Sequence, residues 1–133
     1  MPELPEVEIV RQGLEVQLLG KRIVRTKISG KRLRIAFPKN FVTRMNGRCF
    51  NGFLRRGKYI LASLDDKNML IIHLGMSGRF ILKNTDSALR ELHNHVVFFL
   101  DDGSAAIYRD PRRFGLMTLS SSDMVAKHRL LAN

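Results

Sequence analysis

The hydrophobic period of this chain changes at Gly20, and that change limits the folds it can adopt. Before it, apolar residues recur at three- and four-residue spacing from Val7 to Leu18, which predicts a helix over residues 5–19 with Gly20 as its stop. After it, apolar and polar residues alternate in short runs, as they do in half-buried strands. One long helix followed by strands predicts an α+β fold that is mostly β.

The strand-like runs are short and are separated by turn signals. They cover residues 23–28, 31–37, 48–55, 59–64, 69–74, 79–82, 95–100, 104–108 and 116–119. Asp102-Gly103 predicts a tight hairpin between two of them, and residues 40–46 before Gly47 predict a second, short helix. We therefore expect a β-sandwich, or flattened barrel, of about eight strands with a long N-terminal helix and a second flanking helix. A Ser-Ser-Ser-Asp cluster at 120–123 followed by apolar spacing over 124–131 predicts one more helix.

The charge of the chain favours a polyanionic partner. The 133 residues, a length typical of one domain, include 23 Lys and Arg against 12 Asp and Glu, so the net charge is +11. Nucleic acid is the commonest partner of such a domain, although charge alone also fits a basic protein of ribosomal type. One cysteine, Cys49, excludes an internal disulfide and a cysteine-based zinc site within the chain.

The location expected from the sequence is the cytoplasm. The start of the chain is acidic where a secretory signal would be basic, and no apolar stretch approaches the length of a membrane span.

The first eight residues, Met-Pro-Glu-Leu-Pro-Glu-Val-Glu, allow two interpretations. Removal of Met1 would turn Pro2 into a free secondary amine, which can attack an electrophilic carbon and form an iminium (Schiff base) intermediate. Glu3 and Glu6 would then be available as proton donors or acceptors. The alternative, and the commoner meaning of such a pattern, is a helix start with proline and acids in the first turn.

A basic turn lies between the strands predicted at 48–55 and 59–64. Gly57 lets the backbone pass close to a ligand, and Arg55, Arg56 and Lys58 could contact phosphate oxygens. An ordinary solvated hairpin fits the same residues.

Residues 73–79 place Met76 between two glycines at the end of a buried strand that contains His73. Methionine usually fills a core, but on a glycine-flanked tip we expect it to be presented to solvent.

Residues 108–115 place Phe114 among arginines that include Arg112 and Arg113. Apolar side chains backed by arginines are used to unstack a DNA duplex, so we interpret this loop as a DNA-binding wedge. The alternative is a cation-rich turn with Phe114 packed inward.

His93 and His95 are two residues apart and would share one face of a strand. Without a third ligand nearby, metal binding is not expected, and a phosphate contact, with His93 as the candidate, or a structural hydrogen bond is the better interpretation.

The octet, the loop at 56–58, the run at 73–78 and the run Asp-Pro-Arg-Arg-Phe-Gly at 110–115 together resemble the bacterial formamidopyrimidine-DNA glycosylase family. The resemblance extends over essentially the whole chain, with four motifs in the family's order. It implies an N-terminal domain that acts in base-excision DNA repair, as a DNA glycosylase and AP lyase that removes oxidised purines such as 8-oxoguanine and formamidopyrimidines.

The resemblance also implies roles for the residues of these motifs. Pro2 would be the nucleophile at the deoxyribose C1′, Glu3 the general acid, and Glu6 a residue that holds the flipped nucleotide. Lys58 and His73 would bind the phosphates that flank the lesion.

In the same resemblance, Met76, Arg112 and Phe114 would fill the gap left by the flipped base, with Arg112 bound to the orphaned cytosine. Elimination on both sides of the sugar would then cut the strand. The partner would be double-stranded DNA with an oxidised purine or an abasic site, bound by a monomer.

Members of the family are longer than this chain, so residues 1–133 are expected to form the N-terminal catalytic domain alone. The family's helix–two-turn–helix module and zinc finger would lie outside it, and no cofactor is expected within it. A domain that contacts fewer phosphates would bind DNA more weakly and turn over poorly. The hypothesis from a different class is a non-catalytic, basic, nucleic-acid-binding β-sandwich.

Overall fold

The computed structural model describes residues 3–83 and 92–131, which form two four-stranded antiparallel sheets and two α-helices. The helices are α1 (Leu4–Leu18) and α2 (Phe41–Met45). The strands are β1 (Ile23–Ile28), β2 (Phe50–Arg56), β3 (Tyr59–Leu64), β4 (Asn68–His73), β5 (Arg79–Lys83), β6 (Asn94–Leu100), β7 (Ala105–Arg109) and β8 (Leu116–Ser121). No helix in these two ranges is long and apolar enough to cross a membrane. The predicted α+β sandwich, with one long and one short helix, is confirmed.

The two sheets share one apolar core. Sheet I has the order β1-β6-β7-β5, and sheet II has the order β2-β3-β4-β8. Side chains of both sheets meet between them, including Val96 and Phe98 from sheet I and Ile60 and Leu70 from sheet II. Helix α1 adds the stripe that its spacing predicts, Val7, Leu14 and Leu18. The helix is therefore held by burial of one face against the sandwich.

The predicted hairpin at Asp102-Gly103 is present. It joins β6 to β7, which pair antiparallel. Gly103 has a φ of +87°, and the Leu100 N–H donates to the Ser104 carbonyl at 2.9 Å. Glycine is suited to this left-handed position because it has no Cβ.

The strand predicted at 31–37 is wrong. The alternation is real, because Leu33 is buried while Arg32 and Arg34 are exposed, but the segment has no ladder of backbone hydrogen bonds. The Arg34 N–H donates to the Gly115 carbonyl at 2.9 Å, which is a single contact. The alternation therefore indicates only that the segment turns one face toward the core. A strand also needs a neighbouring strand to pair with.

The helix predicted at 124–131 is also wrong, because only a 3-10 turn forms there, at Val125–Lys127. Val125 and Leu131 both pack on the outer face of sheet II, where they cover Leu61 and Ile71. Two residues six positions apart would point about 120° apart around an α-helix. A helix could not bury both on one flat surface, so the segment turns instead.

The register of sheet II brings several connections to one end. In its last row, Tyr59 on β3 lies beside His73 on β4, and His73 lies beside Leu116 on β8. The β2–β3 turn, the loop after β4 and the loop before β8 therefore emerge together. These are the segments that carry the candidate functional residues.

Candidate nucleic-acid interface

Helix α1 presents two exposed carboxylates at its start. Glu3 is the N-cap residue and Glu6 lies in the first turn. The Val7 N–H donates to the Glu3 carbonyl at 3.0 Å, and the Val7 side chain is buried, so this turn is fixed to the sandwich. Both acids lie near the positive end of the helix dipole. Pro2, the predicted nucleophile, and Met1 lie outside the described residues.

An ion-pair network that sequence reasoning missed ties α1 to β2. The Glu8 carboxylate accepts hydrogen bonds from Arg11 at 2.7 Å and from Nε of Arg55 at 2.9 Å. Arg11 also donates to the Phe53 carbonyl at 2.9 Å. The hydrogen bonds from Arg11, and then those from Arg55, lower the pKa of Glu8 to about 2. The first helix is thus joined to the strand that leads into the basic turn.

The basic turn at the end of β2 is a two-residue hairpin loop. Arg56 pairs with Tyr59, so Gly57 and Lys58 form the loop, and Gly57 has a φ of +58°. Positive φ at the first loop position alone is the pattern of a type II′ turn, which favours glycine there. Arg55 donates to the Gly57 carbonyl at 3.0 Å. The turn is therefore held by the same arginine that binds Glu8.

His73 lies beside this turn and is buried, at 5% exposure. Its Nδ1 accepts a hydrogen bond from the Gly75 N–H at 2.9 Å, and its ring contacts the Tyr59 ring at 4.9 Å between centroids. Burial lowers the pKa of His73, and the nearby charges of Arg34 and Lys58 lower it further. The imidazole is therefore neutral, with its proton on Nε2, and a donor of this kind can serve a phosphate oxygen.

Met76 and Phe114 are exposed on two neighbouring loops, at 49% and 45%. The loops touch closely: a Cβ on Gly75 would lie 2.5 Å from the backbone nitrogen of Gly115. The guanidinium of Arg112 lies over the Phe114 ring, 4.8 Å from its centroid. The predictions that Met76 is presented and that Phe114 is not packed inward agree with these exposures.

A buried carboxylate, which sequence reasoning also missed, joins the two loops. Asp110 is fully buried, and the Ser77 hydroxyl donates to it at 2.7 Å. The signal available in the sequence is an acid directly after a buried strand, in a loop where every other charge is positive.

An open groove of about 510 Å³ continues from Phe114 along the segment before α2. It is lined by Arg32, Leu33, Arg34, Arg112, Arg113 and Phe114. Arg113 donates to the Arg32 carbonyl at 3.1 Å and so connects its two walls. The sequence predicts a strand over residues 31–37, and only the tertiary structure brings Arg32 and Arg34 of that segment beside the wedge loop.

Within the described residues, Lys58 and the four arginines of the groove form no ion pair with a carboxylate. The ion pairs that the described residues form use other cations, at Arg11, Lys21, Arg22, Arg48 and Arg55. Lys58 and the groove arginines are thus available to an external anion, as phosphate recognition requires.

The two histidines near β6 have different surroundings. His95 is 3% exposed, with Nδ1 2.9 Å from the Ser29 hydroxyl oxygen and Nε2 3.0 Å from the Asp110 carbonyl, and burial lowers its pKa. This supports the structural interpretation of His95. His93 is half-buried, with a φ of +73°, and its carbonyl accepts the Asp110 N–H at 3.0 Å. Within residues 3–83 and 92–131, no three possible metal-ligating acids, histidines or cysteines lie together.

Comparison with known proteins identifies relatives over nearly the whole chain. Formamidopyrimidine-DNA glycosylase of Beijerinckia indica is 46% identical over 139 aligned residues, which cover 100% of this chain and 48% of the relative. The protein of the same name from Dinoroseobacter shibae is 44% identical, over 99% of this chain and 49% of the relative. The chain therefore spans about half the length of the curated relatives that it matches.

Solved structures of proteins with the same name also resemble this chain in fold. The Lactococcus lactis enzyme in complex with abasic-site DNA superposes with a TM-score of 0.86 at 34% identity, over 97% of this chain and 48% of that one. The same enzyme bound to DNA containing Fapy-dG gives 0.85 at 35% identity, over 96% and 48%. The family model for the formamidopyrimidine-DNA glycosylase N-terminal domain matches residues 1–117. The chain belongs to the formamidopyrimidine-DNA glycosylase family, as its N-terminal domain.

Proposed function

We propose that this chain is the catalytic part of a base-excision DNA glycosylase and AP lyase that removes oxidised purines, chiefly 8-oxoguanine and formamidopyrimidines, from double-stranded DNA. The observation that carries the proposal is that one end of sheet II presents Lys58, His73 and Met76 together with the Arg112–Phe114 pair. Cations and a neutral donor for phosphates, beside exposed apolar side chains, are what opening a stacked duplex requires.

The base-removal step would use the start of α1. With Met1 removed, the Pro2 nitrogen forms a bond to C1′ as the bond from C1′ to the damaged base breaks. The nitrogen gives up its proton, and the departing base takes up a proton. Glu3 gives a proton to O4′ as the C1′–O4′ bond opens, which leaves an iminium between Pro2 and C1′. Glu6 would hold the flipped nucleotide. The link from Glu8 through Arg55 to Gly57 supports a joint role for the start of α1 and the Lys58 turn, because it fixes the helix beside that turn.

Strand cleavage would follow from the same intermediate. The iminium acidifies the hydrogens at C2′, and loss of one of them expels the phosphate on C3′. Loss of the C4′ proton from the conjugated product then expels the phosphate on C5′. Water regenerates the free amine by hydrolysis of the iminium.

The exposed side chains would keep the duplex open during these steps. Phe114 would wedge between base pairs, Met76 would occupy the space of the flipped nucleotide, and Arg112 would bind the orphaned base. Arg113, together with Arg32 and Arg34, would contact phosphates along the groove. His93 would contact a phosphate outside the groove. We propose that the domain acts as a monomer in the bacterial cytoplasm, without a cofactor of its own, and that alone it binds DNA weakly.

The test is borohydride trapping on a duplex with an abasic site, which reduces the iminium to a permanent bond between protein and DNA. Intact mass first establishes that Met1 is removed. We expect a covalent product that Pro2→Gly nearly abolishes and that Lys58→Met reduces. Lys67→Met is the matched control, because Lys67 lies in the β3–β4 turn at the opposite end of sheet II.

Two results would overturn the proposal. A product whose yield is the same in Pro2→Gly would show that another amine reacts. Absence of product, at protein concentrations where the same duplex is seen to be bound and Met1 is gone, would leave the domain as a nucleic-acid-binding sandwich without chemistry.

A further inference from the structure

The carboxylate of Asp110 is the centre of the two loops that carry Met76 and Phe114. It is fully buried and accepts four hydrogen bonds. Ser77 and Tyr108 donate from their hydroxyls at 2.7 and 2.8 Å, and the backbone N–H groups of Gly115 and Arg113 donate at 2.9 and 3.1 Å. All four donors are uncharged. A buried carboxylate held in this way fixes the geometry of its donors rather than neutralising a cation.

Ser77 is the donor that comes from the other loop. Its hydroxyl donates to Asp110 and accepts the backbone N–H of Arg112 at 3.2 Å. Ser77 directly follows Met76, and Arg112 lies two residues before Phe114. One hydroxyl therefore links the backbone that carries the first exposed apolar residue to the backbone that carries the second.

Close packing limits the alternatives to this arrangement. A Cβ on Gly78 would contact the Tyr108 hydroxyl, and a Cβ on Gly115 would lie 2.9 Å from the Asp110 carboxylate. The backbones of both loops thus lie against the Tyr108–Asp110 pair, and Ser77 sets where the tip of the first loop lies relative to the second.

We infer that Ser77 and Asp110 are positioning residues that hold Met76 and the Arg112–Phe114 pair at a fixed separation, so that they enter the gap in a duplex as one preassembled unit. This rests on the proposed function. Fixing the separation before binding removes the cost of ordering two independent loops when DNA binds. The expected consequence is selectivity: the hydroxyl adds to binding where a gap exists and adds nothing to binding of intact DNA.

The experiment compares binding to two duplexes that differ only in one stable abasic-site analogue. Ser77→Ala removes the link between the loops but leaves Asp110 with three donors, so the fold is retained, which a thermal melt checks. We expect the preference for the abasic duplex to fall by about tenfold, the size of one hydrogen bond to a charged group. Affinity for the intact duplex should not change. Fluorescence of 2-aminopurine beside the gap, which reports unstacking, should rise less than with the unaltered chain.

Two variants separate positioning from a general loss of structure. Ser104→Ala removes a similar serine–carboxylate bond, 2.6 Å to Asp102, in the β6–β7 turn, and it should leave the preference unchanged. Ser77→Thr keeps the hydroxyl and should restore most of the preference. An unchanged preference in Ser77→Ala would overturn the inference while leaving the proposed function intact. If the unaltered chain itself shows no preference for the abasic duplex, the proposed function fails and the inference fails with it.

Discussion

Glu8 on α1 and Arg55 on β2 are joined by a hydrogen-bonded ion pair of 2.9 Å, and the same guanidinium binds the carbonyl of Gly57 in the basic turn. The pair crosses from the helix that starts with the candidate catalytic acids to the loop that carries Lys58. Its two ends are 47 residues apart in the chain, so the contact exists only once the sandwich has formed. Together with the burial of one face of α1, it fixes the position of the helix relative to the turn.

The titration of Glu8 gives the first prediction. Its pKa lies at about 2 in the folded chain against an ordinary value of 4.5. A carboxyl with a lowered pKa stabilises the fold above its unfolded pKa, and this contribution is lost as the pH falls through the folded pKa. As the pH is lowered from about 4.5 to about 2, the urea concentration at the unfolding midpoint should therefore decrease. Glu8→Gln should make that decrease smaller.

Glu15→Gln controls for the loss of one carboxyl from the same helix, since Glu15 lies 3.6 Å from Arg11 but has no contact with Arg55 among the described residues. If Glu8→Gln follows the pH dependence of the unaltered chain in this range, the ion pair does not form in solution.

Salt dependence gives the second prediction, for Lys58. A lysine that neutralises one phosphate releases about one counterion. Lys58→Met should therefore make the negative slope of the logarithm of the association constant against the logarithm of salt concentration shallower by about 1. Affinity should fall for intact and damaged duplexes alike, because a phosphate contact carries no information about the base. Fluorescence anisotropy over a salt series measures both.

Lys67→Met, at the far end of the same sheet, is the control and should keep the slope of the unaltered chain. Equal slopes for Lys58→Met and the unaltered chain would remove Lys58 from the interface.

The helix, the turns and the exposed tips were within reach of the sequence because each depends on nearby residues. The stripe from Val7 to Leu18 and the Asp102-Gly103 turn are local patterns, and each formed as expected. Exposure of Met76 followed from its glycine neighbours. These predictions needed the chemistry of a few adjacent positions and no knowledge of the tertiary structure.

What the sequence could not provide depends on partners far along the chain. The alternation over 31–37 correctly predicts which side chains are buried, but the segment does not pair as a strand, because pairing depends on which strand lies alongside. The position of Arg34 beside Gly115 and the burial of Asp110 under Ser77 have the same origin. An acid among arginines looks solvated in a sequence, and only the fold surrounds it with donors.

Phe114 gives the third prediction. Because it is 45% exposed, Phe114→Ala should change the free energy of unfolding by about 0.5 kcal/mol or less, the usual range for surface positions. Stacking of an aromatic side chain on a base contributes about 1–3 kcal/mol, so affinity for a duplex with an abasic site should fall roughly tenfold to a hundredfold. Titration of that duplex, followed by anisotropy, measures the loss.

Leu54→Ala tests whether any exposed apolar residue has this effect, because Leu54 is 58% exposed on β2. It should bind as the unaltered chain does. A comparable loss of affinity in both variants would contradict the wedge role of Phe114.

The fourth prediction concerns two glycines, whose replacement by alanine should change the free energy of unfolding in opposite directions. Gly13 lies inside α1 with an ordinary helical φ and nothing within 4 Å of an added Cβ, so Gly13→Ala should raise the free energy of unfolding by about 0.5–1 kcal/mol. At Gly115 the added Cβ would lie 2.6 Å from the His73 carbonyl and against the Tyr108 hydroxyl, so Gly115→Ala must displace the end of β4 or break the bond from Tyr108 to Asp110. Urea denaturation should show a loss of about 2 kcal/mol or more, in the range of overpacked positions. If Gly115→Ala is neutral while Gly13→Ala stabilises, the two loops are not packed as closely as the structure has them, and the shared carboxylate of Asp110 would not hold them.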